Sequence, residues 1–201
     1  YRAALDLNPG EPIALHQLAV MERKRNALDA AEALLRRALA SPQIQAAERT
    51  AVREELGRVL ERRGEPEAAC QQYEELRREN PASRLALRRL LALARAAGDW
   101  GRVAGLVRTG KRFGPDTPLL SMYQGMLARR AGDWRAAVRA FERSLPELPT
   151  TLDEAHGWFA YAESLRALHA ENLGQIVQAC LKRLELSPEL RREFEALLRR
   201  R

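Results

Sequence analysis

A chain of 201 residues, 46% apolar and 30% charged, is long enough for one or two ordinary domains and has the balance of a helical, water-exposed protein. No apolar run approaches the roughly 20 residues that cross a bilayer, which excludes a membrane-spanning helix in this sequence. The net charge of +7 is carried by arginine, with Lys24, Lys111 and Lys182 as the only lysines. It admits acidic partners, nucleic acid or anionic surfaces, although arginine and glutamate at helical spacing on solvated faces account for most single charges.

In chain order, Tyr1–Leu7 reads as the end of a helix closed by Asn8-Pro9-Gly10, so the pattern opens partway through a unit. Glu11–Lys24 is a helix with Leu15, Leu18 and Ala19 inward. Asn26 takes the turn, and Leu28–Leu39 is the partner helix, ended by Ser41-Pro42. The next helix ends near Arg63 and carries an added turn, because four extra residues fall between 41 and 50. Helices follow at Pro66–Arg78, Ala82–Ala97, Asp99–Phe113, Pro118–Ala131 and Asp133–Leu145. After Pro149 the period slips by five. Leu152–His169 is then a long aromatic-rich helix, Glu171-Asn172 a turn, Gln175–Leu186 a partner helix, and Glu189–Arg201 a last amphipathic helix. In that last helix Phe194, Leu197 and Leu198 cover the apolar end.

A period of thirty-four residues organises these elements. Ala97-Gly98-Asp99-Trp100 recurs as Ala131-Gly132-Asp133-Trp134, Gly64 precedes Gly98 by the same step, and Pro81, Pro115 and Pro149 form a second series. Self-similarity at this length marks stacked units, each hiding its apolar flank against the next. Gly98 and Gly132 suit the left-handed position that ends a helix, Asp99 and Asp133 the N-cap of the next, and Pro66 a first turn.

Small and large residues recur at matching places within the period. Gly125, Ala137, Phe141 and Pro149 fill these places in one unit. Leu56-Gly57, Ala69, Tyr73 and Pro81 fill them in another, and Leu18-Ala19, Ala31, Leu35 and Ala38 in a third. The unit at Arg84 is looser, with Leu90-Leu91, Val103 and Val107. This pattern resembles the tetratricopeptide repeat. The resemblance implies an all-α fold, a right-handed α-α superhelix or solenoid of helix-turn-helix units. Their bounds would be 1–10 (the end of a repeat), 12–45, 50–83, 84–117, 118–151 and 157–188 (degenerate, with Ser164 and Ile176 at the small positions), then a capping helix over 189–201. The family's early Trp is absent in these units, and Leu76, Gly110 and Ser144 replace its late Ala.

The resemblance also implies that first helices line a concave groove for a protein or peptide. Projected onto that face are His16, Arg58, Arg62, Arg88, Arg95, Met122, Met126, Arg129, Trp158 and Tyr161, flanked by Val20, Arg23, Glu54, Ala92, Arg130 and Leu165. Arginine grips carboxylate through two parallel hydrogen bonds, and Met and aromatics give adaptable apolar contact. The expected partner is an acidic segment with a hydrophobic anchor. The competing reading packs Met122, Met126, Trp158 and Tyr161 against neighbouring helices, or fills the groove with a flanking segment. Val20, Arg58, Ala92, Met126 and Leu165 stand where the family's chaperone-tail binders place a Lys and Asn clamp, so a clamp of that type is not expected.

Chemistry is not announced. His16, His156 and His169 lack a triad-like Asp or Cys, no phosphate-binding glycine loop occurs, and Cys70 and Cys180 lie in different repeats without metal-ligand spacing. No cofactor or metal is expected, and the segment reads as a scaffold and not an enzyme. One rival is RNA binding through Arg58, Arg62, Arg88, Arg95, Arg129 and Arg130. Against it, no base-reading polar code recurs. Another is a regulatory array attached to an enzyme domain. The arginine-rich, highly helical style suggests a bacterial chain, where the resemblance implies envelope assembly or polysaccharide export. Compartment and oligomeric state are open.

Overall fold

The computed structural model describes residues 1–113, 117–148, 152–184 and 186–199; Pro115 and Pro149 lie outside the described residues. The described elements are helical, and the chain is an all-α helical repeat protein. The helices are α1 (Arg2–Leu7), α2 (Pro12–Lys24), α3 (Leu28–Ala40), α4 (Ala46–Arg63), α5 (Pro66–Glu79), α6 (Arg84–Ala96), α7 (Trp100–Phe113), α8 (Pro118–Arg130), α9 (Trp134–Ser144), α10 (Leu152–Ala167), α11 (Leu173–Arg183) and α12 (Pro188–Arg199), with a 3-10 turn at Leu145–Glu147. Two compact units divide the chain, Tyr1–Leu93 and Ala94–Arg201.

The turns follow from the punctuation in the sequence. Gly64, Gly98 and Gly132 adopt φ of 79°, 72° and 80°, the left-handed region that a residue with a Cβ enters at a cost. The Asp133 carboxylate accepts the Ala136 N–H at 2.9 Å, and Asp99 accepts that of Arg102 at 2.9 Å. Two other turns use residues with side chains, Asn26 at φ 65° and His169 at φ 53°. The latter corrects the expected end of the long helix. α10 stops at Ala167, and His169 itself makes the left-handed bend before α11.

In the first unit α2 packs on α3, α3 on α4, and α4 on α5. The added turn belongs to α4, which has 18 residues where α2 has 13. Its start is fixed by a capping box in which the Gln45 N–H donates to Glu48 at 3.0 Å. α4 and α5 meet at Gly57, where an added Cβ would lie 2.5 Å from the ring of Tyr73. Leu15, Leu35, Val52, Leu56, Leu60, Leu76 and Leu90 are buried alongside. Leu18, expected inward, is half-buried.

In the second unit α8 packs on α9, and α10 packs on both. The joint is built alike: a Cβ at Gly125 would lie 2.8 Å from Phe141. α11 begins at Leu173 and ends at Arg183, short of the expected Leu186. Leu184 turns to extended backbone (φ −91°, ψ 144°) and buries itself with Ala155, Val177, Cys180, Leu190 and Phe194. α12 lies against α10 and α11, with the Phe194 ring 5.2 Å from that of Phe159 in an edge-to-face arrangement.

Candidate functional site

In the first unit, one face of α4 carries Glu54, Glu55, Arg58, Glu61 and Arg62 at helical spacings of three and four, so these side chains share a surface. Glu55 is only 2% exposed. A carboxylate taken that far from water needs ionic and hydrogen-bonding partners. It receives them from Arg23 of α2, whose Nε donates to it, and from Arg58, whose Nη1 donates at 3.1 Å. Arg58 also lies 3.7 Å from Glu54.

One turn on, the Glu61 carboxylate accepts the Tyr73 hydroxyl at 2.6 Å and the Nε of Arg89 at 2.9 Å, with a second Arg89 bond from Nη2. Burial, then the hydrogen bond to Glu61, hold the Tyr73 phenol well above its ordinary pKa. Arg62 donates to the carbonyl of Arg23 and to the Asn26 side chain, each at 3.3 Å, and makes no ion pair among the described residues. Arg23, Arg58, Glu61, Arg62 and Arg89 line a cavity of about 430 Å³. His16 is half-buried beside it. Burial lowers its pKa first, with Glu55 opposing and Arg58 adding to the shift.

Of the expected groove residues, this unit therefore brings Arg58 and Arg62 into one cavity and sets His16 within electrostatic reach. Arg88 is half-buried; Arg89, its neighbour, borders the cavity instead. The projection missed Arg89, Glu55 and Glu61. Neighbours on a helix differ by about 100° in direction, so a one-residue error in the facing row exchanges one arginine for the other. A signal for Glu61 existed: Tyr73 is a core aromatic with a hydroxyl, and such a hydroxyl needs an acceptor.

In the second unit Arg129 donates to Glu163 of α10 at 2.6 Å, and its Nε is buried without a hydrogen bond. The Nε of Arg95 is likewise buried without one. Four expected groove residues lie elsewhere than on an open surface. Met122 is 1% exposed and faces α10, where a Cβ at Gly157 would stand 2.5 Å from its sulfur. Met126 is buried at 2%. Tyr161 is buried against Phe141, ring centroids 6.0 Å apart, with its hydroxyl 3.3 Å from Glu142 of α9. Burial and then the Glu142 charge raise its phenol to about 12. Trp158 is half-buried and edge-on to Tyr161 at 6.1 Å, on the side of α10 that meets α11. A first helix here packs against the second helices on both sides and against the neighbouring first helix. This consumes the face that a single-helix projection treats as open.

The described residues contain no cluster of His, Cys, Asp and Glu able to hold a metal, and no helix long and apolar enough to cross a membrane.

The tetratricopeptide repeat family profile matches residues 13–41. No curated protein matches the chain by sequence. Among solved structures, a tetratricopeptide repeat protein from Parabacteroides merdae superposes with a TM-score of 0.73 at 16% identity, over 98% of this chain and 75% of that one. The pilF protein of Pseudomonas aeruginosa gives 0.74 at 18% identity, over 97% and 86%. YrrB, a tetratricopeptide-repeat protein with an unusual peptide-binding site, gives 0.66 at 13% identity, over 97% of each chain. Residues 13–41 are thus a tetratricopeptide repeat, and the chain around them has the fold of the tetratricopeptide-repeat proteins.

Proposed function

We propose that this chain is a non-enzymatic scaffold whose first unit holds an acidic segment of a partner protein in the arginine-lined cavity. The tetratricopeptide-repeat fold is one of protein-interaction scaffolds, and a peptide-binding site is named for one structural neighbour. The observation that carries the reading is the charge state of the cavity wall. Four guanidiniums meet there, and the buried Glu55 and the Glu61 carboxylate engage three of them. Arg62 is left with only neutral acceptors. An incoming carboxylate gives Arg62 a charged acceptor, and the surrounding excess of positive charge favours it further.

Met122, Met126 and Tyr161 are packed in the core, so the anchor expected for the partner does not rest on them. The envelope or polysaccharide-export setting implied by the resemblance is part of the same proposal, and co-purification of such an assembly with the chain tests it.

The binding test is fluorescence anisotropy with a labelled peptide alternating glutamate and glycine, against the parent chain and Arg62→Glu. Reversing this exposed charge should weaken the peptide at least about tenfold, the loss of one charge-assisted bond plus repulsion, while helicity by circular dichroism stays unchanged. Equal affinity in the two chains removes the cavity as the site. Single-stranded RNA titrated at two salt concentrations is the second arm. Tight binding that falls steeply with salt replaces the peptide reading with a nucleic-acid one.

A further inference from the structure

The second unit holds a recess of different character, placed where the thirty-four-residue period slips. The end of α9 tightens into the 3-10 turn Leu145–Glu147 and continues to Leu148 in extended backbone. Across from it, α11 ends at Arg183 and the chain leaves through Leu184. Between them Trp158 of α10 forms the back wall of a cavity of about 280 Å³. Leu145, Cys180 and Leu184 are buried around it. Burial pushes the Cys180 thiol up to about 12, so it lines the wall as a neutral, soft group. Trp158 sits edge-on to Tyr161, which itself contacts the ring of Phe141 and donates to the carboxylate of Glu142. The recess is therefore pre-shaped, which lowers the entropy lost on binding.

One charge stands at its mouth. Arg183 is exposed, lines the cavity, and makes no hydrogen bond or ion pair among the described residues. Glu147, the acidic residue of the 3-10 turn, borders a different cleft together with Arg143. The lining residues Pro146, of the 3-10 turn, and Ala179, of α11, are both exposed.

We infer that this recess is a second recognition site, independent of the arginine cavity. It takes an internal partner segment in which a bulky aliphatic side chain is followed by aspartate or glutamate. The aliphatic group fills the space in front of Trp158, and the carboxylate pairs with the Arg183 guanidinium. Charge complementarity selects the acidic neighbour, because among the described residues Arg183 is the one cation lining an otherwise apolar recess.

The test is NMR of the ¹⁵N-labelled full chain with acetyl-Ala-Leu-Glu-Ala-amide, read at the Trp158 indole and at the Leu148, Ala179 and Leu184 amides. Saturable shifts at these positions are expected. The Gln analogue should bind about 1.5- to fivefold more weakly, the range for one exposed ion pair, and the analogue with Ala for Leu should give no saturable shift there. Arg183→Gln, an exposed change that leaves the core intact, should make the Glu and Gln peptides equal. Arg62→Glu should leave all of this unaltered, which separates the recess from the arginine cavity. The inference is overturned by absent or non-saturating shifts at the four positions, or by equal affinity for the Glu and Gln peptides in the parent chain. Tighter binding of acetyl-leucine than of the tetrapeptide also overturns it, since the site would then read a chain terminus.

Discussion

Tyr73 and Phe141 occupy the same place in the two units, each pressed into a glycine of the preceding helix, and differ by one hydroxyl. Around Tyr73 that hydroxyl donates to Glu61, Glu61 receives Arg89, and the neighbouring surface becomes an arginine-lined cavity with the Glu61 carboxylate in its wall. Around Phe141 the ring meets Tyr161, which in turn meets Trp158, and the neighbouring recess is apolar with Arg183 at its rim. The same helical joint thus presents opposite chemistry according to whether its central aromatic carries a polar end. In a repeat architecture the packing position fixes the fold and the atoms at its edge set what is recognised.

The largest effects should show the joints to be equivalent. Tyr73→Ala and Phe141→Ala each remove a fully buried aromatic and should each cost about 3–5 kcal/mol in denaturant unfolding. Hydrogen exchange should confine the loss mainly to the unit that carries the change, since each repeat leans on its neighbours. A difference between the two variants larger than about 2 kcal/mol would mean that the joints are not alike.

A step down in size, Glu55→Gln should set the units apart. It removes the charge that Arg23 and Arg58 share across α2 and α4. Both arginines are partly exposed and can rehydrate, so the cost should be about 1.5–3 kcal/mol by the same unfolding measurement. No loss at all would show that the buried carboxylate is dispensable to the cavity. Tyr73→Phe should cost about 1 kcal/mol, one hydrogen bond, and make the first joint resemble the second. Peptide anisotropy with this variant reports whether Glu61 still holds Arg89 in place.

Part of this architecture is legible in the amino-acid sequence alone. The turns at Gly64, Gly98 and Gly132 and the pairings of Gly57 with Tyr73 and Gly125 with Phe141 follow from residue type and a fixed step. They are local, and the backbone leaves few alternatives. The facing of the first helices was not legible. Met122 is spent against Gly157 of the next first helix, a contact thirty-five residues away that one helix's periodicity does not encode. Arg89 stands where Arg88 was expected because hydrophobic spacing fixes the buried side of α6 more closely than the edge of its polar side. The recess in front of Trp158 arises from the 3-10 turn at Leu145–Glu147, placed where the period breaks and a repeat-based reading has least to say.

The smallest effect tests the electrostatics of the first unit most directly. His16 lies half-buried near Glu55 and Arg58, and burial lowers its pKa below the ordinary 6.5. In an NMR titration its midpoint should fall below 6.5. Arg58→Ala should move it up by removing a nearby positive charge, and Glu55→Gln should move it further down by removing the opposing negative one. The stability consequence has a definite sign. The unfolded chain takes up the proton first as pH falls, so the contribution of neutral His16 is intact above 6.5 and is lost as pH drops through the depressed folded value. His16→Gln should therefore flatten the acid side of the stability profile and leave the alkaline side alone. An unshifted midpoint, or movement of the wrong sign in either variant, would place His16 outside the field of the arginine cavity and leave the charge balance there to the α4 and α6 residues alone.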